Sequence, residues 1–552
     1  MIPRLTKSRT RRTAMVRRRF AALLASCALV ASCAANPGPP PLVEEQPEET
    51  STEATRPLAP SGGTRTQVQV GVDPLRNGLN PHLAADESEV VESIADLVLP
   101  SAFVDGKRNA DVIEVATVLP TSPSEDVAMT VRYVIADEAQ WSDGTPITGA
   151  DFTYLWRGMS ATPSVVDPSG YRAISNVRVS GPGGKVVDVD FRALVAEWRV
   201  LFSHLLPAHL FSPDAADFAT ALSDDIPASA GRFMVVNVDR GRSTITLNRN
   251  DRFWGANPAK LDILTLVGVQ DTTQIAGQLR VGQLSFVDMV PQETTSTVVG
   301  LVPGVQTQLY DAPRDLGITL STTSPLLGTV EAREELRSLI DVALLARVAA
   351  RRSTDVTIAP HRPASAAAPA TLAAASHEIR PLRVGVDPAD PHAAAAARSL
   401  VDLLASRGVS AQVITTDFYR ISAQDLPAGE LDMVVNWRVR RGASPAIAGE
   451  LYCQPDTYRA GNLSGLCTPE TEELAERILT GEIPGGKARE EADAALEANV
   501  VWVALLTEKR LRALTDGIVG PHPMLTAWPG GVSTAATWRS AIIPDRKGRE
   551  VK

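Results

Sequence analysis

The chain has 552 residues, 44% of them hydrophobic and 21% charged, with 54 lysines and arginines against 64 aspartates and glutamates for a net charge of −10. That length accommodates two or three lobes at roughly 100 to 200 residues per domain. The acidic balance excludes a general affinity for nucleic acid or anionic lipid, and after the first forty residues no apolar run reaches the ~18 positions of a membrane-spanning helix.

Residues 1–32 are different in kind. Eight cations between Arg4 and Arg19, and no acid, precede the apolar run FAALLASCALVAS. A basic segment, a short apolar segment and small residues before a cleavage point are the pattern of a secretory signal peptide. The VASC that ends at Cys33 resembles the lipobox of bacterial lipoproteins. That resemblance implies that Cys33 receives the lipid and becomes the first residue of the mature chain, anchored to the extracytoplasmic face of the cell membrane. LASC, ending at Cys27, fits the same pattern but leaves an apolar segment shorter than the usual ~7 to 15 residues. An ordinary signal peptide with an incidental cysteine is the alternative. Without the leader cations, 46 positive charges face 64 negative ones, so any anion site must be a local cluster set against the field of the whole chain.

Residues 33–65 are rich in Pro, Glu, Thr and Ser with hardly an aliphatic, and read as a disordered tether. From TQVQVGVD onward apolar residues alternate as in strands, punctuated by turn signals such as SDGTP and GPGGK. ESEVVESIADLVL and EAREELRSLIDVALLARVAARR recur at three and four and predict helices. The Ala/Pro/Ser-rich stretch 359–381 reads as a linker-like loop. After it, LRVGVD, a helical run through SLVDLLAS, and AQVITTD predict a βαβ unit with parallel strands. LDMVVNW predicts the next strand, and VVWVALLTEKRLRALTDGIVG two strands around a turn. The mixture is α/β.

Cys453 and Cys467 remain after the leader and Cys33 are set aside. One pair in an exported chain reads as a disulfide, closing a loop short enough for roughly 3 kcal/mol in the chain-entropy model; two buried thiols are the alternative. Catalytic patterns are missing: no G-x-S-x-G elbow, no H-E-x-x-H, no C-x-x-C. GEIPGGKA has Ala488 where a phosphate loop needs Ser or Thr. His204 and His209 are spaced poorly for a shared metal. The expectation is a binder rather than an enzyme, with no cofactor, no metal and no nucleic-acid partner, and monomeric.

QWSDGTPITGADFTYLWRGM, ITLNRNDRFWGANPAKLDILTL and NLSGLCTPETEEL, in that order, resemble the family 5 extracellular solute-binding proteins. In the first motif Trp141, Asp143, Gly144 and Asp151 stand where the family has its strand-to-helix turn, and they read as a fold motif. The resemblance implies a two-lobed periplasmic-binding-protein-like fold of the large class. Its first lobe, with an extra subdomain, would span 66–310 and its second 311–505. The chain would return to the first lobe at 506–545 and end in a basic tail, 546–552. VGVDPLRNGLNPHLAADES, VVDPSGYRAISNV and WRVLFSHLLPAHL look like the actinobacterial LpqW-type branch, which is linked to phosphatidylinositol mannoside and lipoarabinomannan synthesis. This implies a mannolipid ligand and a membrane glycosyltransferase partner; import of a small solute or peptide through an ABC permease is the alternative.

Peptide-binding members carry an Asp after the Trp that ends this strand. Here the run is WRVRRGASP. Three guanidiniums repel an ammonium but offer paired donors to phosphate, so Trp437, Arg438, Arg440 and Arg441 are the predicted ligand-binding residues. Extended geometry would put Arg438 and Arg440 on one side and Arg441 on the other. The competing expectation is a solvated turn whose arginines pair with local acids such as Glu450.

Overall fold

A computed structural model describes residues 65–120, 127–365, 370–453 and 461–541. All belong to one compact unit, Gly63–Lys552. The leader, Cys33, nearly all of the tether and the basic tail lie outside the described residues.

An eleven-stranded sheet runs through the molecule in the order Ala411–Thr415, Leu382–Val386, Met433–Val439, Gln306–Leu320, Trp502–Leu514, Phe286–Met289, Gln67–Val72, Ile263–Gly268, Thr244–Arg249 and Phe233–Asp239, with Thr357–Ile358 beside Trp502–Leu514. The predicted βαβ unit forms: Leu382–Val386 pairs in parallel with Ala411–Thr415 across the helix Pro391–Ser406, and Met433–Val439 adds in parallel on its other side. A separate four-stranded antiparallel sheet is built from Ile113–Val118, Met129–Ile135, Val186–Phe191 and Ile174–Ser180.

Two hydrophobic cores flank a pair of long antiparallel strands. One gathers residues from Val68 to Phe286 together with the chain from Ile447 to Val501 and the C-terminal Trp528 and Trp538; the other lies within Leu316 to Leu506. Gln306–Leu320 and Trp502–Leu514 cross from one core to the other. Asp311 is paired with Lys509 but Asp315 already with Thr507, so the register shifts in between. Extra residues on one strand of a ladder bend it and re-aim its side chains, and Pro313, which has no N–H to give the ladder, sits in this bulge.

Two expectations resolve differently in space. Within 359–381, Ala370–Glu378 is a helix, because Ala-rich sequence needs only a surface to pack on to become helical. The helices Ser444–Gly449, Pro469–Leu479 and Gly485–Ala498 lie in the stretch given to the second lobe, yet they bury Ile447, Ala475, Ile478, Ala488 and Ala492 in the first core. A helical apolar stripe fits either core, so spacing alone does not choose between them. The long helical run EAREELRSLIDVALLARVAARR is two helices, Val330–Leu339 and Val342–Ala350, the second capped by Asp341, whose carboxylate accepts the Leu344 amide at 2.9 Å.

The WSDG motif builds the first lobe. Gly144 turns the chain at φ +95°, a left-handed conformation that favours glycine, and Asp143 accepts the Thr145 amide at 2.8 Å. Thr148 and Asp151 form a capping box at the start of the helix Gly149–Ala161. Asp151 also accepts the Ala208 amide at 3.0 Å. Trp141 is fully buried. Cys453 and Cys467 are joined by a disulfide.

Candidate functional site

Between the two cores lies a cavity of about 160 Å³, room for on the order of ten waters. Its floor is the crossing pair. Gly317 has no side chain because the Trp502 ring occupies its place: a Cβ there would stand 2.4 Å from Trp502 Cζ2. The indole therefore lies flat against the neighbouring strand and lines the cavity with Trp437 and Phe418. Loops of the first lobe supply Arg76, Asn77, Glu87, Ser164 and Asp167, the end of the helix Ser444–Gly449 on the first core supplies Glu450, and the second side supplies Asp387, Asp390 and Asn436.

Of the four predicted ligand residues, the structure brings Trp437, Arg438 and Arg441 to the cavity and leaves Arg440 off its wall. The strand ends at Val439, so alternation no longer governs Arg440. Its amide donates to the Pro313 carbonyl at 2.8 Å and its side chain, half exposed, points to Asp315 at 3.4 Å. Trp437 donates its indole N–H to Asp390 at 2.6 Å. The Arg314 guanidinium lies over its ring, 5.1 Å from the centroid.

The arginines are already engaged. Arg438 pairs with Glu450 and lies 3.4 Å from Asp493; Arg489 clasps both oxygens of the same Glu450 at 2.9 Å. Arg441 pairs with Glu87 and, at 2.8 Å, with Asp167. Burial alone would lower the Arg441 pKa, but Asp167 and Glu87 more than offset it and hold it above the usual arginine value. On the opposite wall Arg76 meets Asp390 at 2.7 Å. Arg441 and Arg76 thus join elements of the two cores across the cavity.

Six carboxylates line the space (Asp86, Glu87, Asp167, Asp387, Asp390, Glu450) against four guanidiniums (Arg76, Arg314, Arg438, Arg441). Each acid has a partner: Asp86 accepts the Gly78 and Asn80 amides at 2.9 and 3.0 Å, and Asp387 the Ala389 amide at 2.8 Å. Burial pushes the Asp390 pKa up, but Arg76 and the Ala393 amide pull it further down, so it stays ionised below the usual carboxylate range. The cavity is therefore a lattice of matched charges around indoles, not the positive pocket that RVRR suggests.

Sequence reasoning passed over Arg76, Arg314, Asp387, Asp390, Ser164 and Trp502. The Asp and Asn residues near NGLNPH and DPADPH were visible as turn residues, but nothing local shows that two turns so distant in sequence face each other. The fold-motif residues Trp141, Asp143, Gly144 and Asp151 are not among those lining the cavity. His204 and His209 take separate partners, Asp96 at 2.9 Å and Asp143 at 2.6 Å. Glu92, Asp96 and His204 are the one group of at least three metal-ligand types found together among the described residues, within 4.8 Å of one another; its histidine is already bonded to Asp96.

The crossing strands and the cavity between two cores make a two-sided cleft able to hold a ligand. Residues 114–455 match the model of the bacterial extracellular solute-binding proteins, family 5, and the chain belongs to that family. The chain is 29% identical over 492 residues to LpqW of Mycobacterium tuberculosis, described as a probable monoacyl phosphatidylinositol tetramannoside-binding protein, with 78% of this chain and 76% of LpqW covered. It is 28% identical over 277 residues to the oligopeptide-binding protein OppA of the same species, covering 49% of this chain and 46% of OppA. In three dimensions it is similar to the oligopeptide-binding protein AppA of Bacillus subtilis, solved with a nonapeptide, at a TM-score of 0.65 and 12% identity over 87% of this chain and all of AppA. That last likeness is one of fold. Family and fold are those of binding proteins. Among the described residues no helix is long and apolar enough to cross a membrane.

Proposed function

We propose that this protein is a lipoprotein, anchored through Cys33 to the extracytoplasmic face of the cell membrane, that takes the mannosylated polyol headgroup of a phosphoinositol mannolipid into the interlobe cleft and supports cell-envelope glycolipid assembly. The observation that carries this reading is the matched charge lattice around Trp437 and Trp502. A sugar presents an apolar C–H face and a ring of hydroxyls, each able to donate one hydrogen bond and accept two. Indole faces suit the first, and fixed carboxylates, guanidiniums and the amides of Asn77 and Asn436 suit the second. The likeness to LpqW, whose name describes a tetramannoside lipid as ligand, supports the same reading. The cavity is small for a whole mannolipid, so one or two rings would enter while the remainder extends out. A glycosyltransferase that uses the lipid is the partner such a carrier needs.

The surplus of two carboxylates in the lining favours a second reading, a cationic solute such as a peptide amino terminus held at Asp387 and Asp390 and delivered to an ABC permease. Mass spectrometry of molecules that co-purify with the protein, beside the Trp437→Ala, Trp502→Ala double variant, separates the two. A mannolipid retained by the parent and depleted in the variant is the expected result; a peptide in the parent transfers the assignment to the importer.

A further inference from the structure

The four cleft guanidiniums differ in how completely they are neutralised. Arg76, Arg438 and Arg441 each contact a carboxylate at bonding distance. Arg314 does not: its Nη2 donates to the backbone oxygen of Glu87 at 3.0 Å, and the carboxylate paired with it, Glu508, stands 3.8 Å from Nη1. Its Nε is buried and has no partner. Burial, only partly offset by Glu508, holds the Arg314 pKa below the usual arginine value. Arg441, by contrast, is held above that value by Asp167 and Glu87.

A second orphan faces the same space. Ser164 is 1% exposed, lines the cavity, and its hydroxyl has no partner. Its backbone is held at φ +62°. Ser164 accepts the Ala84 amide on its carbonyl at 2.9 Å, while Arg314 reaches Glu87 three residues further along the same loop. Among the described residues these are the two buried, unpartnered side-chain polar atoms that line the cleft. Buried donors are satisfied in the great majority of structures, so each exception asks for a partner. Arg314 pairs with Val439, two residues beyond Trp437 on the neighbouring strand, which sets its guanidinium beside that indole.

We infer that Arg314, assisted by the Ser164 hydroxyl, is the position in this cleft that holds an oxyanion, a phosphate ester above all. This rests on the polyol reading for what carries the anion, but not for the anion position itself. Arg314 offers Nε and one Nη edge, the paired geometry that suits two phosphate oxygens. The neutralised Arg438 and Arg441 would hold the walls together instead of meeting the ligand's charge. Because Arg314 overlies the Trp437 ring, an anion bound to it changes that indole's surroundings and its fluorescence.

The test is a tryptophan-fluorescence titration of the full-length protein with three probes: inositol 1-phosphate, myo-inositol and inorganic phosphate. In the parent protein the ester is expected to bind roughly ten- to a hundredfold more tightly than inositol, the range of one hydrogen-bonded charge. Arg314→Gln reduces that ratio to about one, Arg314→Lys restores part of it, Ser164→Ala weakens the ester by a few fold, and Arg440→Gln changes nothing. Equal binding of ester and inositol by the parent overturns the anion position and leaves the polyol reading standing. Preference surviving Arg314→Gln also overturns it. Inorganic phosphate binding that depends on Arg314, with no response to inositol, supports the position and removes the polyol. No response to any probe overturns both. The comparison of probes on the parent decides the matter even where a variant at the buried Arg314 fails to fold.

Discussion

Two short basic runs, RVRR at 438–441 and KRLR at 509–512, look alike on paper and do opposite things. Arg510 and Arg512 lie inside the crossing strand Trp502–Leu514, two residues apart and so on one face. Both direct their Nε at Asp288, at 2.8 Å each, and Arg510 also reaches Asp73 at 2.9 Å. Asp288 is 1% exposed and Arg510 2%. Arg438, Arg440 and Arg441 stand where their strand ends, half-exposed, each with its own acid. A strand fixes direction and depth together, whereas past a strand's end each side chain finds the partner its loop permits. The buried run ties the crossing strand to Phe286–Met289 and, through Asp73, to the end of Gln67–Val72; the open run staples the walls of a cleft.

The cluster around Asp288 should be the more costly to damage. Asp288→Asn strands two buried guanidiniums and is expected to cost about 3 to 5 kcal/mol, read by denaturant unfolding; a loss no larger than that at the cleft would erase the contrast. Next is Glu450→Gln, which leaves Arg438 and Arg489 without their shared carboxylate. About 1 to 3 kcal/mol of stability should go, and inorganic phosphate should bind more tightly, since the freed guanidiniums then resemble the pocket that RVRR suggests.

Opening the staple is gentler. Glu87→Gln removes one of the two partners of Arg441, and with solvent screening this half-buried pair the cost should be about 1 kcal/mol, read by denaturant unfolding. The same staple should respond to pH. Burial, reinforced by Glu87, Glu450 and Glu92 and only partly countered by Arg441, pushes the Asp167 pKa up to about 6. A carboxyl whose pKa is raised on folding destabilises the fold while it is ionised, so stability should rise as pH falls through about 6 toward the ordinary carboxylate range. Denaturant unfolding between pH 4 and 8 checks this, and Asp167→Asn should flatten the response. The smallest effect belongs to Arg440→Ala, within about 0.5 kcal/mol of the parent in a thermal melt and without consequence for ligand.

Much of the architecture was legible because periodicity is local. The βαβ unit and the strand LDMVVNW could be read from alternation and turn residues, and the place of Asp151 from the strand-to-helix turn motif it belongs to. The pairing of Arg438 with Glu450 was legible too, as the bland alternative to anion binding. Arg314 was not: it follows a proline within a long strand, and its place over Trp437 comes from the pairing of that strand with Met433–Val439. Nor was Trp502, which lies flat on the floor because Gly317 of the crossing partner leaves room for it.

The sequence by itself determined which segments are strands and helices, where the family's turn motif lies and which residue types are available for recognition, since these depend on neighbours within a few positions. Which arginines are paired with acids, which donors lack partners and which core a helix joins were decided by the tertiary structure. Charge compensation is a short-range interaction between side chains far apart in the chain, such as Arg441 with Glu87 and Arg76 with Asp390, and distance in sequence carries no information about distance in space until the fold is made.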